Sequence, residues 1–261
     1  MFGLGEAGAL IATDLIACGV EVKGFDPAPV VTPEGVCRVN TPQEAVDNAH
    51  CVIAITPGDD ALAAMEQALD VIAPGTLYAD FSTNAASIKQ QLAEKAASSQ
   101  LVFVDVALMT LVPGKGLRTP VMVSGTGAAR FLEVFSEFAM PITVASEIAG
   151  EAATRKLLRS VMMKGLAAVI IESMRAGEAA GCATWLWNNI ASELSAADEK
   201  LIARLVTGTV PHAKRRLHEM QCTEQLLNDL GVDPVMTRST VESLRRVPEQ
   251  GVPVIPDCVD S

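Results

Sequence analysis

Three glycines near the start of the chain constrain its fold more than any other feature. The stretch MFGLGEAGAL spaces them as Gly3-x-Gly5-x-x-Gly8, and Leu10, Ile11, Leu15 and Ile16 then follow at the spacing of one helix face. The next run, GVEVKGF, is β-type and ends at Asp26, 18 residues beyond Gly8. Glycine turn, helix and acid-ended strand in that order make a βαβ opening. In such a unit two glycines let the backbone turn and approach a pyrophosphate, the third lets helix pack on strand, and the first-turn amides favour negative charge. Gly3, Leu4, Gly5, Glu6, Ala7 and Gly8 are therefore the expected cradle of a dinucleotide, with Asp26 accepting hydrogen bonds from the adenosine ribose. A carboxylate there repels a 2′-phosphate, and Pro27-Ala28-Pro29 supplies no arginine to hold one. The expected cofactor is NAD, with NADP possible.

Only Met1 and Phe2 precede the turn. Two residues reach about 7 Å, against roughly 17 Å for an ordinary strand. The first strand is thus expected to be truncated, leaving a weak sheet centre that added apolar residues would strengthen.

Beyond Asp26 the chain alternates β-type runs with helical ones. Strands are predicted at Glu21 to Phe25, Cys51 to Thr56, Thr76 to Phe81, Leu101 to Val106 and Pro120 to Ser124, and helices at Ala7 to Cys18, Asp59 to Val71 and Ala85 to Ala97. Continuously apolar strands separated by helices mean a mostly parallel sheet covered on both faces. From Gly150 the patterns are helical throughout: Gly150 to Ala180, Ala196 to Val206, Pro211 to Asp229 and Asp233 to Arg246. The expected fold is an α/β Rossmann domain, doubly wound, over residues 1–148, followed by an all-α domain over 149–261 for substrate binding and dimerisation. The tail Val247 to Ser261 is expected to be irregular, wrapping a surface or fraying.

Composition excludes several function classes. The net charge of −11 disfavours nucleic acid and anionic lipid as partners. The longest apolar run, Gly165 to Ile171, is far short of the roughly 18 residues of a membrane span, and Glu6 and Asp14 interrupt any leader-like start. The expectation is a cytoplasmic protein whose partners are a small-molecule substrate and a second copy of itself. The six cysteines have no Cys-x-x-Cys pairing and no histidine cluster beside them, so reduced thiols and no metal are expected.

Open α/β sheets bind ligands at the carboxyl ends of their strands. Two such ends carry small polar residues here, Thr56-Pro57-Gly58 and Phe81-Ser82-Thr83-Asn84. Thr56, Pro57 and Ser82 are candidates for the cofactor, and Ser82 and Thr83 for the substrate. Each of the hydroxyl and amide residues serves equally well as a helix cap.

GLGEAG, the acid at Asp26, DFST at Asp80 to Thr83, VDVALMTLVPGKG from Val104 and ATRKLLRSVMMKG from Ala153 occur in the order found in the β-hydroxyacid dehydrogenase and 6-phosphogluconate dehydrogenase superfamily, which the chain resembles over nearly its whole length. It is similar in particular to a bacterial branch of NAD(P)-dependent oxidoreductases with a KxLRSxxxKG helix and a later HAxRRxxEM motif, here Lys156 to Gly165 and His212 to Met220. The resemblance implies a Rossmann domain, a dimerising helical domain and hydride transfer in a cleft between them, with Lys156 as general acid/base. Two departures stand out. Arg159 and Ser160 replace the superfamily's asparagines, and Met109-Thr110-Leu111 replaces its Ser-Gly-Gly substrate loop, so substrate identity does not carry over.

On a helix, Lys156, Ser160 and Lys164 fall within an arc of about 80°. That face offers a proton donor, a hydroxyl and a second cation able to lower a desolvated lysine's pKa. Met109, Thr110, Ser160 and Lys164 are accordingly substrate-binding candidates. So are His212 and Arg216, which share a helical face with Glu219 and could clamp an anion, although an arginine–glutamate bridge accounts for them equally well. Met109, Leu111, Met162, Met163, Trp185 and Trp187 suit core filling or an apolar substrate pocket. The expected activity is an NAD(P)-dependent dehydrogenase acting on a CH–OH group of a small hydroxy acid or related carbonyl. An imine reductase and a non-catalytic dinucleotide-binding protein are the alternatives.

Overall fold

The computed structural model describes residues 1–256 and divides into two compact units, Met1–Arg159 and Ser160–Ser261. In the first, α1 (Glu6–Ala17) leads to a short pair, β1 (Lys23–Gly24) and β2 (Cys37–Arg38), then to α2 (Pro42–Val46). β3 (Cys51–Ala54), α3 (Ala61–Glu66), β4 (Leu77–Asp80), α4 (Ala86–Ser98), β5 (Val102–Leu108), β6 (Val121–Ser124), α5 (Ala128–Ser136) and β7 (Ile142–Ser146) follow. The larger sheet runs β3-β4-β5-β6-β7, parallel except where β6 lies antiparallel to β5. Phe2 forms a parallel bridge with Phe25 on one side and Ala54 on the other, so one residue joins the two sheets.

Strand alternation builds a core on each face. Ile53, Leu77, Ala79, Val104 and Val106 turn to one side, against Ile11 and Leu15 of α1 and Phe131 and Phe135 of α5. Val52, Ala54, Tyr78 and Phe103 turn to the other, against Met65 of α3 and Leu92 and Ala96 of α4. That period of two in fully covered strands is why the sequence reads as continuous apolar runs. Two charged residues share the second parity, Asp80 and Asp105. They stand opposite each other in the β4–β5 register, both buried.

α6 (Glu151–Ala179) contains the boundary between the units. The second unit continues with α7 (Ala183–Ser195), α8 (Glu199–Thr207), α9 (Thr209–Asp229) and α10 (Val235–Gln250). Sequence periodicity misses α7, whose Trp185 and Trp187 are exposed. The helix α10 extends to Gln250, beyond the start of the tail expected to be irregular, and the last part of that tail, residues 257–261, lies outside the described residues. Glu172 of α6 caps α10, accepting from the amides of Met236 and Thr237 and from the Thr237 hydroxyl at 2.7–2.9 Å. Burial pushes this carboxyl upward, but the hydrogen bonds outweigh it and hold the group below the usual carboxylate range. Among the described residues no helix is long and apolar enough to cross a membrane.

Candidate functional site

The three glycines of the opening turn are required for different reasons. Gly3 has φ +88°, and a Cβ there would stand 2.1 Å from the Ile55 carbonyl oxygen. A Cβ on Gly8 would stand 2.2 Å from the carbonyl of Gly3, so this glycine brings α1 against the turn. Gly5, at the N-cap of α1, meets nothing within 4 Å. Packing therefore demands the outer two glycines and leaves the middle one facing open space, which is where a phosphate can approach the first-turn amides. Gly5→Ala is expected to keep the melting temperature within about 2 °C while weakening cofactor binding at least about tenfold, read by titration. Gly3→Ala forces a side chain onto a backbone oxygen at positive φ and is expected to cost about 3 kcal/mol of stability or more.

The turn borders a groove of about 440 Å³ lined by Gly3, Gly5, Asp26, Pro27, Thr56 and Pro57 among others. Asp26 takes the Leu4 amide on Oδ2 at 2.7 Å and the Ala28 amide on Oδ1 at 2.8 Å. A carboxylate offers about four acceptor positions, so it retains capacity for ribose hydroxyls. Thr56, at the carboxyl end of β3, has a buried hydroxyl with no hydrogen-bond partner among the described residues. An open Cβ position, an acidic strand end and an orphaned hydroxyl around one groove fit a dinucleotide.

A second cluster sits at the carboxyl end of β4. The Ser82 hydroxyl donates to Asp80 Oδ2 at 2.7 Å and accepts from Asn84 Nδ2 at 2.9 Å, and Asn84 also donates to the Gly58 carbonyl at 3.0 Å. Ser82 is buried and its proton is committed within the protein. Thr83 is exposed, and its Oγ1 accepts from Lys156 Nζ at 2.9 Å. This leaves the threonine hydroxyl proton free to be donated outward.

Lys156 is half-buried one turn into α6, and the start of that helix is anchored from below. Asp105 Oδ2 accepts from the Ala153 amide at 3.0 Å and from Ser124 Oγ at 3.2 Å, while Ser124 Oγ accepts from the Ala152 amide at 3.0 Å. A carboxylate and a hydroxyl thus satisfy two first-turn amides, with charge of the sign the helix N-terminus favours. Between Asp80 and Asp105 lies Lys89 of α4, fully buried, its Nζ 2.6 Å from Asp80 Oδ2 and 3.0 Å from Asp105 Oδ1. Among the described residues Asp105 Oδ1 makes no aligned hydrogen bond and is held by the ion pair with Lys89. Two carboxylates in register across neighbouring strands would repel, and the ammonium between them makes the arrangement tenable.

Residues 1–146, more than half of the chain, match the NAD binding domain of 6-phosphogluconate dehydrogenase. The chain belongs to that family. The matched residues of this chain form an NAD(P)-binding domain, and they include the groove at the glycine turn. Residues 178–247 match a domain of unknown function, DUF1932. A probable 3-hydroxyisobutyrate dehydrogenase of Mycobacterium tuberculosis is 30% identical over 47% of this chain and 44% of its own length. The matches span 57% and 44% of the lengths of the curated relatives, about half of each. Among solved structures, a Streptomyces aurantiacus imine reductase shares the fold with a TM-score of 0.79 at 19% identity, covering 96% of this chain and 94% of that one. A reductive aminase from Aspergillus terreus, solved in complex with NADPH and ethyl-5-oxohexanoate, has a TM-score of 0.79 at 18% identity over 96% and 93%.

Met109 is half-buried and Thr110 exposed just beyond β5, where Lys115 Nζ donates to Thr110 Oγ1 at 3.2 Å. Ser160 and Lys164 lie on α6 in the second unit, as His212 and Arg216 lie on α9. Arg216 bonds Thr209 Oγ1 and the Leu205 carbonyl, and Glu219 pairs at 3.2 Å with Arg215 rather than with Arg216. The register of α9 makes the i,i+4 pair win over the i,i+3 one. Leu111, Met162, Trp185 and Trp187 are exposed in the single chain and fill no core of it.

Sequence reasoning passed over Arg38 and Lys89 in this NAD(P)-binding chain. Arg38 donates to the carbonyls of Asp26, Ala28 and Val30 at 2.7–2.8 Å and to Thr32 Oγ1 at 3.2 Å, clamping the loop that carries Asp26. Its signal would have been an arginine at a strand end facing a proline-rich loop. Lys89 has a plainer one, a lysine among the apolar positions of a helix.

Proposed function

We propose that this protein is an NAD(P)-dependent oxidoreductase that moves a hydride between the cofactor and the CH–OH carbon of a small hydroxy acid or related carbonyl compound. The observation that carries the reading is the Lys156 ammonium placed on Thr83 Oγ1 by a helix whose first turn is fixed to Asp105 and Ser124. A nicotinamide cofactor held by the glycine turn and Asp26 would supply the hydride acceptor or donor. Lys156 handles the accompanying proton: its neutral amine takes the hydroxyl proton as the alcohol is oxidised, and its ammonium returns it to the carbonyl oxygen in reduction. Thr83 orients the same oxygen by donating its hydroxyl proton, Asp26 holds the adenosine ribose, and the amides beside Gly5 hold the pyrophosphate. NAD is preferred over NADP because Asp26 carries negative charge where a 2′-phosphate would sit.

The second unit is the dimerisation element in this reading. Val161, Met162, Ile171, Trp185, Trp187 and Ile202 are exposed on its helices, more apolar surface than a lone soluble chain usually leaves uncovered.

The test is a panel of hydroxy acids, keto acids and cyclic imines offered with NADH or NADPH, and with NAD+ or NADP+. Turnover on hydroxy or keto acids and a larger thermal shift with NADH are expected. Turnover confined to imines would move the protein to the C=N class named for its Streptomyces fold neighbour. No turnover on any member would favour a dinucleotide-binding role without catalysis.

A further inference from the structure

We propose that Lys89, buried between Asp80 and Asp105, is a positioning residue for Lys156. The inference rests on the acid/base role given to Lys156 above. Lys89 is fully buried, where an ammonium is retained only with good partners. Its contacts divide into two arms. One runs through Asp80 Oδ2 and the Asp80 carbonyl, at 2.6 and 3.1 Å, to Ser82, whose hydroxyl rests on the same carboxylate, and on to Asn84 and the Gly58 carbonyl. This arm fixes the turn that presents Thr83. The other runs through Asp105, 3.0 Å away, to the Ala153 amide in the first turn of α6, three residues before Lys156. The arms meet again where Lys156 Nζ donates to Thr83 Oγ1. Lys89 thus closes a ring of contacts that sets the distance between proton donor and orienting hydroxyl.

The chemistry explains why a cation is needed at this point. Asp80 and Asp105 face each other in register, so one carboxylate can serve the turn and the other the helix only while a positive charge separates them. Without it the pair must take up a proton or move apart, and either change loosens one arm. Hydrogen-bonded ion clusters of this kind act as registers more than as sources of stability.

Two variants test the proposal. Lys89→Met removes the cation alone. Lys89→Met/Asp80→Asn removes one charge of each sign, leaving the net buried charge of the parent, and keeps the protein folded if the single variant fails. Hydrogen exchange is measured segment by segment alongside steady-state kinetics. In the folded variant, exchange is expected to accelerate at least tenfold in residues 82–86 and 151–157 and to stay unchanged in β3. The kcat on the best panel substrate is expected to fall at least tenfold, with the KM for cofactor within about twofold of the parent. Unchanged exchange in the two segments overturns the proposal, as does acceleration throughout the sheet, which marks a merely structural residue. Unchanged kcat in a folded variant with locally raised exchange overturns it as well. If the parent turns over no substrate, the acid/base reading fails on its own, and local against uniform exchange still decides whether Lys89 ties the two segments together.

Discussion

Lys156→Met is expected to lower kcat for hydride transfer by about three orders of magnitude while leaving the affinity for NADH within about twofold. General acid/base groups contribute roughly 10²–10⁴ in rate, and a single positioned lysine belongs in the middle of that range. The separation of the two parameters follows from geometry. Lys156 donates to Thr83 beyond β4, whereas the groove at the glycine turn is lined by Gly3, Gly5, Asp26, Thr56 and Pro57. Methionine keeps the length and apolar stem of lysine, so the half-buried position stays filled and loss of folding does not confuse the result. Thr83→Val is expected to fall less, by about tenfold, because it removes an orienting hydrogen bond and leaves the proton donor in place. Equal loss in the two variants would show that Lys156 serves to hold Thr83 and not the reverse. Unchanged turnover in Lys156→Met would remove the lysine from the proton path.

The parts of this site that the sequence discloses are those whose chemistry is local. Gly3, Gly5 and Gly8 sit within six residues of each other, and Asp26 follows at the interval that one helix and one strand impose. Thr56 and Ser82 are legible because apolar runs end just before them. The Lys89 triad is not legible in this way, since it joins α4 to two strands and then to a helix start 48 residues beyond Asp105, and no spacing rule connects those positions. Ser82 shows the same limit in reverse. Its place at a strand end suggests a ligand contact, yet only the three-dimensional partners reveal that its proton belongs to Asp80. The antiparallel β6 escapes notice because strand direction leaves no trace in a covered apolar run. In the second unit α7 hides because its two tryptophans are exposed, which breaks the amphipathic pattern that reveals helices.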